Sequence, residues 1–180
     1  MTNDRPRIDR VTTTSGDAGT TSLADGKRHE KGSPRLELVG ALDELNCEVG
    51  LAALCLDGSL REQLRTIQAR VFDVGAAVAT GKPQPYWGRE TERLSAITEE
   101  INSALEPLAE FVLPGGNETN GRLHAARAMT RRCERVFWRL EDPVLIEASI
   151  GAFLNRLSDF LFVAARSVCE DEVLWQPLRE

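Results

Sequence analysis

Apolar side chains recur at every third or fourth position along five segments of this chain, and this spacing places them on one face of an α-helix. Turn-rich sequences separate the segments at residues 57–59, 80–88, 113–121 and 141–143. No segment alternates polar and apolar residues as a strand would, and no internal repeat is present. Short connections between long amphipathic helices favour neighbours packed up and down. We therefore predict an all-α fold, a five-helix up-down bundle preceded by a glycine- and threonine-rich loop.

The apolar positions place the five predicted helices along the chain. The first begins at Pro34, because proline is favoured in the first turn of a helix. The others cover residues 60–78, 94–105, 123–140 and 146–168. Residues 1–33 show no apolar period and are interpreted as loop or tail.

Length and composition bound the architecture and the location. The chain has 180 residues, of which 42% are hydrophobic and 28% charged, as in ordinary globular domains. We predict a flexible tail over residues 1–10 and a single domain over residues 11–175. The longest apolar run, at 160–165, is too short to span a bilayer, and the first ten residues lack the apolar core of a secretory signal. A soluble, cytoplasmic protein without membrane contact is therefore expected.

The cysteines and histidines give no metal-ligand pattern. The four cysteines form no C-x-x-C pair and fall within apolar helical segments, which favours buried free thiols. The two histidines, His29 and His124, are far apart in the sequence. We predict no residues that bind a metal directly.

The segment TTTSGDAGTTSL, residues 12–23, is dense in small residues that expose backbone N–H groups and hydroxyls. Such a segment can wrap a phosphate chain. It is not a Walker A motif, because it lacks G-x-x-x-x-G-K-[ST]. The alternative interpretation is a disordered tail.

The fourth predicted helix is strongly basic. Its six arginines are Arg122, Arg127, Arg131, Arg132, Arg135 and Arg139. Arg127, Arg131 and Arg135 are four residues apart and line one side of the helix, where like charges repel unless an anion compensates them. A triphosphate, or carboxylates from another helix or subunit, could do so. The alternatives are a solvated basic face or nucleic acid, and the latter is disfavoured by the net charge of −6.

The fifth predicted helix carries polar residues within an apolar sequence. Asn155 and Asp159 are four residues apart and share a face with Ser158 and Phe162. This group forms either a polar network between helices or a ligand contact. Asp43, in the first helix, is a candidate carboxylate for compensating an arginine.

In this order, these segments resemble the PduO-type ATP:cob(I)alamin adenosyltransferases. The matching stretches are SGDAGTTSL (15–23), KGSPRLELVGALDELNCEVGLA (31–52), FVLPGG (111–116), LHAARAMTRRCERV (123–136) and FLNRLSDFLFVAAR (153–166). The resemblance implies a homotrimer of helical bundles with active sites between subunits. It implies that cob(I)alamin attacks the 5′ carbon of ATP, giving adenosylcobalamin and triphosphate, with Mg²⁺ as a cofactor. It also implies a reductase and a B12-dependent enzyme as partners.

The resemblance also implies roles for individual residues. Phe111 resembles the aromatic residue that displaces the lower axial ligand of the corrinoid. Arg127 resembles the arginine that pairs across the subunit interface with the aspartate matched here by Asp43. The residues that resemble nucleotide contacts are Thr13, Ser15, Gly16, Asp17, Gly19, Thr20, Lys31, Arg131, Glu134 and Asn155.

The phosphate loop departs from the family pattern, which resembles T-[RK]-T-G-D-K-G. Its two basic positions are occupied here by Thr14 and Ala18, and Val136 stands where a further arginine is common. We hypothesise that Lys27 or Arg28 supplies the missing positive charge.

These departures keep other functions open. The chain could bind a corrinoid or a nucleotide without catalysis, as a carrier, sensor or chaperone for a B12 enzyme. It could transfer adenosyl to another acceptor, use another nucleotide, or be a helical interaction module. Retention of Arg127, Arg131, Glu134 and Asn155 together favours the adenosyltransferase, because a scaffold does not need that polar set.

Overall fold

A computed structural model describes residues 14–178 of the chain. The described residues form six helices, which are α1 (Pro34–Leu54), α2 (Gly58–Thr80), α3 (Trp87–Asn102), α4 (Glu118–Trp138), α5 (Pro143–Glu147) and α6 (Ile150–Ser167). Over this part of the chain, no helix combines the length and the apolar character that a membrane span requires. The predicted tail at 1–10 and the candidate residue Thr13 lie outside the described residues.

The long helices share one apolar core. Helix α1 packs against α2 and α4, and α6 packs against α4 and α3. The largest fully buried side chains include Trp87, Phe137, Phe153 and Phe160. Burying a large apolar side chain contributes about 1.5–3 kcal/mol to stability, so these residues hold α3, α4 and α6 together. The prediction of an all-α bundle with five long helices is confirmed, and α4 and α6 lie side by side within it.

Side-chain caps define where α1 and α4 begin. The Ser33 side chain accepts a hydrogen bond from the Leu36 N–H (3.5 Å), and Pro34 follows in the first turn. The Asn117 side chain accepts from the Asn120 N–H (2.8 Å) and so starts α4 at Glu118. Capped starts fix the angular positions of the α1 and α4 side chains that the candidate site uses.

The fifth predicted helix is not continuous, which corrects the prediction over 146–168. It is divided into α5 and α6 at Ser149, whose φ of 66° lies in the left-handed region that is unfavourable for most residues. Leu145 and Ile150, on either side of the break, are both buried, whereas Ile146 is exposed. The break thus lets both segments pack on the core.

Two short antiparallel strand pairs are present where no strand was predicted. Strand β1 (Thr20–Ser22) pairs with β2 (Arg28–Glu30), and β3 (Val112–Leu113) pairs with β4 (Val173–Leu174). Strands of two or three residues are too short to show alternation in a sequence. The interpretation of residues 20–30 as loop or tail was therefore wrong.

The cysteines are free, but they are not all buried as predicted. Cys133 is buried, its Sγ–H donates to the Ala41 carbonyl (3.2 Å), and burial raises the pKa of its thiol to about 12. Cys47 and Cys55 are exposed and Cys169 is half-buried. The apolar stripe of α1 runs through Leu38, Leu42, Leu45 and Val49, so Cys47 lies outside it.

Candidate functional site

A cavity of about 390 Å³ brings together two of the predicted catalytic residues, Phe111 and Arg127. Its wall also includes His124 from α4 and Phe162 from α6. The remaining wall is the segment Leu108–Val112, which leads into β3. The lining is mainly apolar and its polar members are Glu110, His124 and Arg127, which suits a mainly apolar ligand with a few polar groups.

Phe111 presents an exposed aromatic ring beside this cavity. Its side chain is 78% exposed, which is unusual for a phenylalanine. The backbone is held, because the Phe111 carbonyl accepts from the Trp175 N–H (2.7 Å) next to the β3–β4 pairing. The Trp175 ring lies edge-on at 6.3 Å between centroids. A ring exposed on a fixed backbone is available to a ligand at little reorganisation cost.

Arg127 is half-buried at the same cavity. Its Nε–H donates to His124 Nδ1 (3.3 Å), and its guanidinium carbon lies 6.0 Å from the centroid of the Phe162 ring. Burial, together with the neighbouring charge of Arg131, lowers the pKa of Arg127. Over residues 14–178 no carboxylate lies within 4 Å of this guanidinium. A partly desolvated charge of this kind favours an anionic partner, and none lies among the described residues.

The six arginines of α4 divide into two sets. Three form ion pairs within the chain, Arg122 with Glu118 (2.6 Å), Arg132 with Glu44 (2.7 Å) and Arg139 with Glu37 (2.5 Å). The other three, which we call the arginine stripe, are Arg127, Arg131 and Arg135, and none has a carboxylate partner among the described residues. The three arginines spaced four residues apart are therefore the ones whose charge is not balanced by a carboxylate of the described residues.

Two predicted nucleotide contacts meet at a second cavity, also of about 390 Å³. The Asn155 side-chain amide donates to Glu134 Oε1 (3.2 Å), and both residues line this cavity. Asp159, expected on the same polar face, instead pairs with Arg156 (2.6 Å). Of the polar residues predicted on the fifth helix, Asn155 is the one that lines this cavity, together with Glu134 of α4.

A close approach of α6 to Trp138 shapes the second cavity. A Cβ placed on Gly151 would lie 2.6 Å from Trp138 Cζ2, so this position requires glycine. Trp138, Gly151 and Thr91 all line the cavity and were not predicted as site residues. A lone tryptophan and glycine in helical segments give no sequence signal for such a contact.

The predicted phosphate loop folds against Lys31. A Cβ on Gly16 would lie 3.1 Å from the Lys31 ammonium, so the cation sits directly over the glycine. The Lys31 N–H donates to the Gly19 carbonyl (2.9 Å), and Gly19 has a φ of 83° that favours glycine. Asp17 is exposed in the same turn. The structure brings these four predicted residues together.

Arg28 ties the two ends of the loop to each other. Its Nη2 donates to the carbonyls of Ser15 (2.9 Å) and Thr20 (3.1 Å), and also contacts Thr20 Oγ1. This places a guanidinium within the loop whose basic positions are occupied by Thr14 and Ala18. Lys27 and Arg28 were the two candidates for supplying the missing positive charge, and Arg28 is the one whose side chain binds the loop.

Asp43 joins none of these groups. It is exposed on α1 and makes no ion pair with Arg127 or any other cation in the described residues. Its neighbour Glu44 is the residue that pairs with α4. A pair between Asp43 and Arg127 therefore needs a second subunit.

Sequence reasoning missed two buried polar residues near the first cavity. His124, 3% exposed, is three residues before Arg127, and this helical spacing is the one signal that could have identified it. Arg166, 7% exposed, donates from Nε to Glu172 (3.0 Å) and from Nη2 to the Glu106 carbonyl (2.9 Å). It thus fixes the segment that leads to Phe111, a contact between distant residues that no local pattern indicates.

Known proteins resemble this chain over most of its length. Residues 11–168 match the family model described as cobalamin adenosyltransferase. A cobalamin adenosyltransferase of Cupriavidus metallidurans is 37% identical over 182 residues, covering 97% of this chain and 98% of that protein.

Solved structures give the same result. A variant PduO-type adenosyltransferase from Lactobacillus reuteri complexed with ATP superposes with a TM-score of 0.81 at 31% identity, covering 92% of this chain and all of that one (100%). A second variant of that enzyme, complexed with cobalamin and ATP, gives a TM-score of 0.79 at 29% identity, covering 93% of this chain and 100% of that one. On its sequence and its fold, the chain belongs to the cobalamin adenosyltransferase family.

Proposed function

We propose that this chain transfers the 5′-deoxyadenosyl group of ATP to cob(I)alamin. The cobalt(I) electron pair attacks C5′, so that a Co–C bond forms as the C5′–O bond breaks. The bonding electrons leave with triphosphate. No proton moves in this step, so the reaction needs no general base. Family membership supports the proposal, as does the related Lactobacillus reuteri enzyme complexed with cobalamin and ATP.

The arginine stripe is the observation that carries this proposal. Negative charge accumulates on the departing triphosphate, and fixed cations stabilise such charge without reorganising during the reaction. Arg131 and Arg135 project from a rigid helix and have no carboxylate partner in the described part of the chain. They are therefore available to phosphate oxygens. Glu134, which is next to Arg135 on α4, and Asn155 on α6 are proposed to contact the nucleoside.

The cavity beside Phe111 is the proposed corrinoid site. Its lining is apolar apart from Arg127, His124 and Glu110, and Phe111 is exposed on a fixed backbone. An aromatic ring against the lower face of the corrin would exclude water and displace the axial ligand. Loss of that ligand favours reduction to cobalt(I), so the same ring would assist the step before transfer.

The loop at 15–20 with Lys31 is the proposed phosphate cover. We infer that Mg²⁺ arrives bound to the phosphates of ATP. Mg²⁺ usually binds through phosphate oxygens and water with one or two carboxylates, and Asp17 offers an exposed carboxylate here.

Partners and location are proposed on chemical grounds. Cobalt(I) must be generated by an external electron donor, so we propose a reductase as one partner and a B12-dependent enzyme as the acceptor of the product. The exposed free thiols of Cys47 and Cys55 suit a reducing compartment, which supports a cytoplasmic location.

Equilibrium dialysis with ATP and with cobalamin separates this proposal from its alternatives. Binding of both ligands is the expected result. Binding of cobalamin alone would favour a carrier, sensor or chaperone. Binding of another nucleotide in preference to ATP would favour transfer from a different donor.

Replacing Arg28 by alanine is expected to weaken ATP binding about tenfold. Arg28 holds Ser15 and Thr20 and brings the positive charge that Thr14 and Ala18 lack, and a hydrogen bond to a charged group contributes about 1.5–3 kcal/mol. Isothermal titration calorimetry with MgATP measures the effect. Lys27→Ala is the matched control and should bind ATP normally, because Lys27 is exposed and, in the described residues, bonds only through its backbone, to Asp25 and Leu23. Equal ATP affinity in wild type and Arg28→Ala would contradict the role of Arg28.

Replacing Asp43 by asparagine is expected to weaken trimer assembly and to lower activity about tenfold. The proposed pair with Arg127 of the next subunit is partly desolvated, so loss of one charge leaves the other uncompensated. Sedimentation velocity and the rate assay measure the two effects. Glu44→Gln is the control, because its pair with Arg132 is exposed and contributes about 0–1 kcal/mol. An intact trimer with full activity in Asp43→Asn would show that Arg127 has another partner.

A further inference from the structure

His124 is a buried histidine at the proposed corrinoid site. It lies on α4, is 3% exposed, and packs edge-on against Phe162 with 6.0 Å between ring centroids. Its ring forms part of the wall of the cavity that also contains Phe111 and Arg127. Nothing in the transfer reaction described above uses this side chain.

The hydrogen bond to Arg127 determines the state of the His124 ring. Nδ1 accepts the Nε–H of Arg127 (3.3 Å), so the ring nitrogen that carries the proton is Nε2. Burial, and then the positive charge of Arg127, lower the pKa of His124, so the ring is neutral at pH 7. Nε2 is buried and has no hydrogen-bond partner among the described residues. The ring orientation that places Nδ1 against Arg127 therefore leaves the Nε2–H group unpaired among the described residues.

We infer that His124 is a positioning residue for Arg127. By occupying Nε, the imidazole fixes the plane of the guanidinium and leaves both terminal amino groups without a hydrogen-bond partner in residues 14–178. Those groups remain available for a carboxylate of a neighbouring subunit or for the ligand. This inference rests on the proposed function for its catalytic consequence, but its geometry is independent of that function.

A neutral acceptor is suited to this task. A carboxylate at the same place would orient Arg127 but would also cancel its charge, because the two would form an ion pair. Imidazole accepts a hydrogen bond without adding a charge, so Arg127 keeps its full positive charge at the cavity. Histidine at position 124 can thus orient the Arg127 guanidinium without neutralising its charge.

A pair of nearly isosteric substitutions tests the role of His124. Asparagine can place its amide oxygen close to the position of Nδ1 and accept from Arg127, whereas leucine has a similar shape and cannot accept. His124→Leu is expected to lower kcat about 10- to 100-fold, the loss that a displacement of about 1 Å causes in a catalytic group. The KM for ATP should change less than about twofold, because ATP is proposed to bind at other residues. His124→Asn should recover most of kcat.

Two outcomes of this comparison would overturn the inference. One is a His124→Leu variant with wild-type kcat. The other is equal loss in both variants, which would show that the ring matters only for packing. Thermal unfolding of both variants identifies any loss that arises from instability.

A spectroscopic measurement on the wild-type protein tests the geometry without any catalytic readout. The chain has only two histidines, so ¹⁵N-histidine labelling gives a simple long-range ¹H–¹⁵N spectrum in which His29 serves as the internal reference. At pH 7 His124 should show one neutral form protonated at Nε2, and Arg127→Met should shift the Nδ1 resonance, because Nδ1 then loses its hydrogen-bond donor. A wild-type His124 protonated at Nδ1 would overturn the inference. If the protein binds no corrinoid, the proposed function fails, and this spectrum still decides the role of His124.

Discussion

Replacing Arg131 by alanine is expected to lower turnover about 100- to 1,000-fold, the loss typical when one fixed donor to a developing negative charge is removed. Arg131 lies at the centre of the arginine stripe, on the exposed side of α4, and has no carboxylate partner over residues 14–178. Its backbone carbonyl, which accepts from Arg135 Nη1 (3.1 Å), is unaffected by the substitution. The fold and its thermal stability should therefore remain close to those of the wild type.

Arg132→Ala is the matched control for Arg131→Ala. The two residues are adjacent on α4, but Arg132 forms an exposed ion pair with Glu44 and is not part of the stripe. This variant should retain activity within about twofold, because exposed ion pairs contribute about 0–1 kcal/mol. Rates under saturating ATP and limiting ATP distinguish loss of transition-state stabilisation from loss of binding. Normal activity in Arg131→Ala, or equal losses in both variants, would contradict a role in stabilising the triphosphate.

Replacing Phe111 by alanine is expected to lower turnover of cobalamin about 100-fold, and to affect a corrinoid without its own lower ligand much less. The exposed ring is proposed to displace the lower ligand, so only a substrate that carries one needs it. Misplacement or loss of such a positioning group commonly costs about two orders of magnitude in rate. Because the side chain is 78% exposed, its removal should cost little folding stability.

Phe72→Ala is the control for Phe111→Ala. Phe72 is a similarly exposed phenylalanine, at 67%, on α2 and not part of the cavity wall. The Phe72→Ala variant should process both corrinoids at the wild-type rate. Parallel assays with cobalamin and with a corrinoid lacking the lower ligand give the ratio of the two losses. Equal losses on both substrates in Phe111→Ala would contradict the displacement role while leaving a contribution to corrinoid packing.

The bundle could be predicted because helical periodicity is strong over long segments. All five long helices overlap the segments that the apolar pattern indicated, although α3 begins at Trp87, seven residues before the predicted 94, and α4 begins five residues before the predicted 123. The β1–β2 and β3–β4 strand pairs could not be predicted, because strands of two or three residues show no period. The break at Ser149 has no glycine or proline to indicate it, since the left-handed residue there is serine.

The site was predictable where its chemistry repeats at a helical interval. The spacing of Arg127, Arg131 and Arg135 predicted a stripe that needs an anion, and the structure shows no carboxylate partner for it among residues 14–178. Arg132 and Arg139 are paired by carboxylates of α1, and the sequence could not indicate these contacts between distant residues. His124 was missed because its role depends on burial and on the tautomer that Arg127 selects.

Phe111 and Arg127 could be identified individually from the sequence, but their convergence on one cavity could not. Phe111 is placed by its backbone pairing with Trp175, and its segment is held by Arg166 through Glu106 and Glu172. The contacts of Phe111 with Trp175 and of Arg166 with Glu106 join residues more than fifty positions apart, and so depend on the packed fold. The remaining predicted pair, between Arg127 and Asp43, would join two subunits and remains a prediction.

An anaerobic optical assay tests the central claim most directly. The purified protein is mixed with ATP, Mg²⁺ and chemically reduced cob(I)alamin, and the spectrum is followed with time. If the protein transfers adenosyl to cob(I)alamin, the cob(I)alamin band disappears and a photolabile adenosylcobalamin spectrum grows. No conversion by a folded trimer that binds both ligands would contradict adenosyl transfer. Restoring basic residues at Thr14 and Ala18 would then show whether the altered phosphate loop is the cause.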